Sequence, residues 1–104
     1  MIEATFYKDK GEIRGFVIKG HSGYSEEGSD IICASVSSAA YMTANTLTEI
    51  AGVKADIEVD DGYLELMTKD SSENARVILE GFRLHISTLA EDYSEYILCR
   101  DKIL

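Results

Sequence analysis

The chain has no tryptophan and no proline, only two cysteines and two histidines, and far fewer basic than acidic residues, 10 Lys plus Arg against 19 Asp plus Glu. Each shortage narrows the possibilities. A formal charge of −9 repels phosphate backbones, so direct nucleic-acid binding is not expected, and a basic protein or peptide is the partner such a surface attracts. No apolar run approaches the roughly 20 residues that cross a bilayer. The N-terminal segment MIEATFYKDK alternates like a strand and lacks the apolar stretch of a signal peptide. No membrane association is expected, and the location expected is cytoplasmic, where Cys33 and Cys99 stay reduced. The thiols form no CxxC pair. Cys33, Cys99, His21 and His85 also show no ligand-like spacing, so neither a metal nor a cofactor is expected. With 104 residues, 45% of them hydrophobic, the expectation is a single domain spanning residues 1–104 with a real core.

Ile2, Ala4 and Phe6 alternate within residues 2–7, and strand character resumes from Ile13 to Lys19 after the turn-rich KDKG, which predicts a β-hairpin. Residues 20–30 (GHSGYSEEGSD) carry three glycines and no apolar periodicity. This is the longest loop in the chain, and a long loop in a compact domain invites a functional reading. From Ile31 the spacing of Ile32, Val36, Ala39, Thr43, Leu47 and Ile50 predicts a helix, with Asp30 as N-cap and Gly52 as stop. A second hairpin is predicted from Ala55 to Asp60 and Tyr63 to Thr68, with Asp61-Gly62 as a tight primed turn. Ser71 or Ser72 then caps a helix with Ala75, Ile78, Leu79, Phe82, Ile86 and Leu89 in one stripe, and Glu95 to Cys99 reads as a short last strand. The fold class expected is α+β, in two layers: ββα-ββα-β order, a mixed or antiparallel sheet, and two helices packed on one face.

Chemistry concentrates around the loop. If Asp30 caps the helix, Cys33 stands in its first turn, among N–H groups at the positive end of the helix dipole, where a thiolate is favoured. An ionised Asp30 opposes that effect, and a lone cysteine also serves as a small buried hydrophobe. His21 ends the second strand between glycine and serine, which presents its ring at the sheet rim. A hairpin followed by a loop can return the helix start to that rim. A Cys–His pair is the minimum for nucleophilic catalysis, the imidazole taking the thiol proton and returning it to the leaving amine; a solvated loop histidine is the plainer reading. His85, beside the second helix's stripe, reads as a structural histidine, and Cys99 as core. The small residues after Cys33 read as close helix packing.

Residues 20–38, GHSGYSEEGSDIICASVSS, resemble the signature of the bacterial ribosomal-processing cysteine proteases. The matching positions are Gly20, His21, Gly23, Tyr24, Gly28, Asp30, Ile31, Ile32, Cys33 and Ala34, and the ββα-ββα-β order matches as well. The resemblance implies a thiol endopeptidase that removes a short N-terminal extension from a large-subunit ribosomal protein and so supports ribosome assembly. It implies Cys33 as nucleophile, His21 as base, a basic and aromatic-containing extension as substrate, and a homodimer.

Backbone N–H groups at the helix start are the expected oxyanion donors. Asp30 is a helix cap, an orienter of His21, or both. Ser22, Gly23, Tyr24 and Gly28 form the expected substrate loop: the glycines act as hinges, and Tyr24 packs on a bound peptide as the loop closes. The competing reading is a non-catalytic, ribosome-associated peptide-binding or assembly module, which needs no thiol beside His21.

Overall fold

The computed structural model describes residues 1–25 and 30–104. Strands β1 (Ile2–Asp9) and β2 (Glu12–Lys19) form the first hairpin, followed by helix α1 (Ile31–Asn45), which runs on as a π-helical turn over Thr46–Ile50. Strands β3 (Ala55–Asp60) and β4 (Tyr63–Thr68), helix α2 (Glu73–Asp92) and strand β5 (Ile97–Ile103) complete the chain. The sheet order is β3-β4-β2-β1-β5. All neighbours are antiparallel except β1 and β5, which pair in parallel from Ile2↔Ile97 to Lys8↔Ile103. The expected α+β, two-layer arrangement with a mixed sheet is what forms.

Strand alternation decides which face the helices cover. Phe6 pairs with Phe16, and Phe16 with Leu66; Ala4 pairs with Ile18, and Ile18 with Leu64. Cross-strand partners share a face, and all of these residues are buried in one cluster with Ile32, Val36 and Leu47 of the first helical segment and Leu79, Phe82 and Ile86 of α2. Phe82 anchors that layer: its ring lies 4.6 Å from Phe16 and 5.6 Å from Phe6. Ser72 caps α2 by accepting from Ala75 N–H at 3.1 Å. Arg83 of α2 holds Asp101 of β5 through two bonds of 2.8 and 2.7 Å, fixing the edge strand to the helix layer.

Several expectations need correction. The last strand extends to Ile103, beyond the predicted Cys99, because Arg100, Asp101 and Lys102 tolerate the solvated side of an edge strand. Ile50, placed on the stripe of the first helix, is 82% exposed, since the wider π turn rotates the last residues out of the α-helical phase. The primed turn sits in the other hairpin. Lys10 and Gly11 both have positive φ (54° and 82°), whereas at Asp61-Gly62 only Gly62 does, at 63°. His85, expected beside the stripe as a structural histidine, is exposed; of the small residues expected to pack closely, Ala34, Ser35, Ser37 and Ser38 are exposed, while Ala39 and Ala40 do pack against the core. Cys99 is half-buried against the core, and burial raises its thiol pKa.

Candidate active site

The site forms where β2 ends and α1 begins. Gly20 follows β2 with a φ of 92°, and a Cβ there would stand 2.4 Å from Met1 O, so only glycine lets the chain turn this close to β1. His21 follows, exposed. Ser22 turns inward and is buried. Its backbone N–H donates to Cys33 Sγ at 3.2 Å, its hydroxyl donates a short hydrogen bond to Asp30 Oδ2, and the same hydroxyl oxygen accepts from Tyr24 N–H at 3.0 Å. One serine therefore joins the histidine segment, the loop and the helix start.

Asp30 is the N-cap of α1, its Oδ1 accepting from Ile32 N–H at 2.9 Å and Cys33 N–H at 3.0 Å. The Ser22 hydroxyl is the largest influence holding its pKa down at about 2; burial opposes it, and the Cys33 and Ile32 hydrogen bonds add to it. Asp30 is thus an ionised carboxylate spent on the helix start and on Ser22, with no hydrogen bond to His21. Of the first-turn amides expected as oxyanion donors, three have partners: Ile32 and Cys33 bond Asp30 Oδ1, and Ala34 bonds Asp30 O at 3.0 Å.

Cys33, half-buried, and His21 line one cavity of about 220 Å³ together with Tyr41, Asp60, Asp61 and Tyr63. The two residues singled out for a thiol mechanism are thereby brought to one space, although Sγ takes its hydrogen bond from Ser22 rather than from the imidazole. Cys99 and His85 lie elsewhere, on β5 and in the groove between α1 and α2. Tyr24 is 48% exposed, and its ring meets Tyr96 edge-on at 5.3 Å, so this loop tyrosine has an aromatic partner within the protein. Gly23 has a φ of 74° with open space around it. Gly28 and the rest of residues 26–29 fall outside the described residues. Residue-level reading missed the contribution of the β3–β4 turn. Its Asp61-Gly62 was legible as a turn, but nothing local says which other loop a turn will meet.

The model of the family described as "Cysteine protease Prp" matches residues 1–98. The chain belongs to the cysteine protease Prp family. Its enzyme class is that of a cysteine peptidase. The chain is 29% identical to the ribosomal processing cysteine protease Prp of Bacillus subtilis, with all of both chains covered. It is 28% identical to the Prp protease of Staphylococcus aureus over 86% of this chain and 87% of that one. Among solved structures, the S. aureus Prp protease in complex with a covalently linked product peptide superposes with a TM-score of 0.92 at 27% identity, covering 98% of this chain and 100% of the other. A Streptococcus mutans protein superposes with a TM-score of 0.86 at 30% identity, covering 100% and 96%. The Prp fold thus extends across the whole sheet and both helices described above.

Proposed function

We propose that this chain is a ribosomal processing endopeptidase that removes the N-terminal extension of a bacterial large-subunit ribosomal protein, with Cys33 as nucleophile and His21 as general base and acid, and that residues 1–104 act as one protease domain. The observation that carries the reading is the shared cavity of His21 and Cys33 in a chain that matches the family model over residues 1–98. The solved S. aureus relatives, one with a substrate peptide and one with a covalently linked product peptide, support a peptide substrate.

In this mechanism His21 takes the Cys33 thiol proton, and the sulfur attacks the scissile carbonyl to form a carbon–sulfur bond. The carbon–nitrogen bond then breaks as His21 passes the proton to the departing amine. Water, deprotonated by His21, cleaves the thioester and restores the thiol as the carboxylate leaves. The Ser22 amide is already directed at Sγ, at 3.2 Å.

Asp60 and Asp61 on the cavity wall, within an overall charge of −9, suit a basic extension. Substrate contact falls to Ser22, Gly23, Tyr24 and Gly28, with Tyr24 leaving Tyr96 to cover the peptide. The reading includes a homodimer and a cytoplasmic location. Exposed apolar side chains such as Met42, Val77 and Leu84 are surface that association can bury. Among the described residues, no helix is long and apolar enough to cross a membrane.

The decisive experiment mixes the purified protein with a ribosomal protein carrying its extension and follows the products by mass spectrometry. Release of the extension by wild type and not by Cys33→Ala is expected. An intact substrate bound equally by both forms would favour a peptide-binding module instead.

A further inference from the structure

Gly62, in the turn between β3 and β4, meets two independent demands. Its φ of 63° is one that side chains rarely adopt. Its missing side chain is also where the His21 ring lies: a Cβ at Gly62 would stand 2.8 Å from His21 Nε2, 3.3 Å from Cε1 and 3.5 Å from Cδ2. The first of these distances is closer than a real Cβ contact allows, and all three ring atoms face the same Cα. The backbone of Gly62 is engaged too, its carbonyl accepting from Gly20 N–H at 2.9 Å. The turn thus holds the residue before His21 by a hydrogen bond and offers the ring itself a flat seat. Both Gly62 and His21 line the cavity that contains Cys33. Gly52 provides the contrast, with nearly the same φ, 67°, and nothing within 4 Å of a Cβ built there.

We propose that Gly62 is a positioning residue for His21, setting the imidazole against the bare Cα so that it faces the space shared with Cys33. The proposal rests on the reading of His21 as the base. The turn forms this wall of the cavity, so a side chain at position 62 forces the ring off its seat and changes its placement relative to the sulfur. Proton transfer depends on heavy atoms meeting at hydrogen-bond distance, and a displacement of about 1 Å can cost on the order of 100-fold in rate.

The test compares Gly62→Ala, Gly62→Asn and Gly52→Ala. Asparagine tolerates positive φ far better than alanine yet carries a Cβ that the ring can meet only by moving, so Gly62→Asn separates the seat from backbone strain. Gly52→Ala imposes the strain without the contact. Measurements are kcat and KM on an extension peptide, Tm, and the chemical shifts of the His21 ring nitrogens. Both Gly62 variants should lose ~10- to 100-fold in kcat with KM little changed, and their His21 ring signals should move. Gly52→Ala should lower Tm but keep kcat and the His21 signals. A folded Gly62→Asn with wild-type kcat and unshifted ring signals would overturn the proposal. Loss of kcat in Gly52→Ala equal to that in Gly62→Ala would overturn it as well, by assigning the effect to strain. Full activity in His21→Ala would instead bring down the general-base reading beneath it, whatever the Gly62 variants do.

Discussion

The backbone N–H of Ser22 points at the sulfur of Cys33 across 3.2 Å, and the hydroxyl of the same serine is bonded to the carboxylate that caps the Cys33 helix. The hydrogen bond to the Cys33 sulfur therefore comes from a residue whose own position depends on Asp30. Ser22→Ala keeps the amide but releases the clasp. The expected outcome is an Asp30 pKa that rises from about 2 toward the ordinary carboxylate range, together with a several-fold fall in kcat/KM as the amide drifts from the sulfur. A carboxyl-carbon NMR titration of both proteins reads the first effect and peptide kinetics the second.

Acid should act on the same carboxylate. The folded-state pKa of Asp30 is depressed from 3.8 to about 2, so its contribution to stability is fully present above the unfolded value and is lost as pH falls from about 4 through about 2. Asp30→Asn, which keeps one acceptor oxygen but no charge, should be less stable at neutral pH and should lose less on acidification. Chemical denaturation at a series of pH values between 2 and 7 would expose parallel acid limbs if Asp30 made no such contribution.

Cys33→Ala should abolish cleavage with the fold intact, because a half-buried helix-start thiol contributes more chemistry than packing. His21→Ala should cost on the order of 100- to 10,000-fold, the usual range for a positioned acid–base group. Cys99→Ala should remain active, with a modest drop in Tm from its contact with the core. Iodoacetamide labelling adds a second measure: the label on residue 33 should disappear in Cys33→Ala and persist in Cys99→Ala.

Salt should slow encounter with a basic extension. On the proposed function, the −9 charge and the carboxylates at the cavity attract it, and exposed charges are screened over ~8–10 Å at physiological ionic strength. A fall in kcat/KM with added salt, with kcat steady, is the expected signature. A flat profile would assign the acidic surface to solubility.

The helix layer is held down through Phe82, which meets both Phe6 and Phe16. Phe82→Ala should cost about 3–5 kcal/mol, the range for deleting a buried phenylalanine, and urea unfolding monitored by circular dichroism measures it. A change below about 1 kcal/mol would mean that the helix settles into the space left.

The hairpins and helices were legible because alternation in IEATFY, ADIEVD and YLELMT and the three-and-four spacing around Phe82 are local signals of burial. The cap at Asp30 was legible for the same reason, an acceptor placed just before a periodic run. What stayed hidden depends on partners distant in sequence. Ile50 leaves its stripe because the helix widens to a π turn, which no spacing announces. Ser22 reads as a loop serine until Asp30 and Cys33 are folded beside it. Gly62 reads as a turn glycine, and its second role exists only once another hairpin brings His21 against it.

The parallel pairing of β5 with β1 has a consequence in time. Hydrogen bonds between these strands join residues some 95 positions apart, so they close the largest loop in the molecule, and contacts that distant form late in folding. Ile2 N–H bonds Tyr96 O at 2.8 Å just as the closing strand begins, and the neighbouring Met1 carbonyl is the surface on which Gly20 turns toward His21. The first hairpin sets Gly20 against Met1 locally, and the final strand then fixes Ile2 from the other side of β1. A chain emerging from synthesis would carry His21 and Cys33 well before its sheet could close, and the strand beside Ile2, which lines their cavity, would be the last part of the molecule to set.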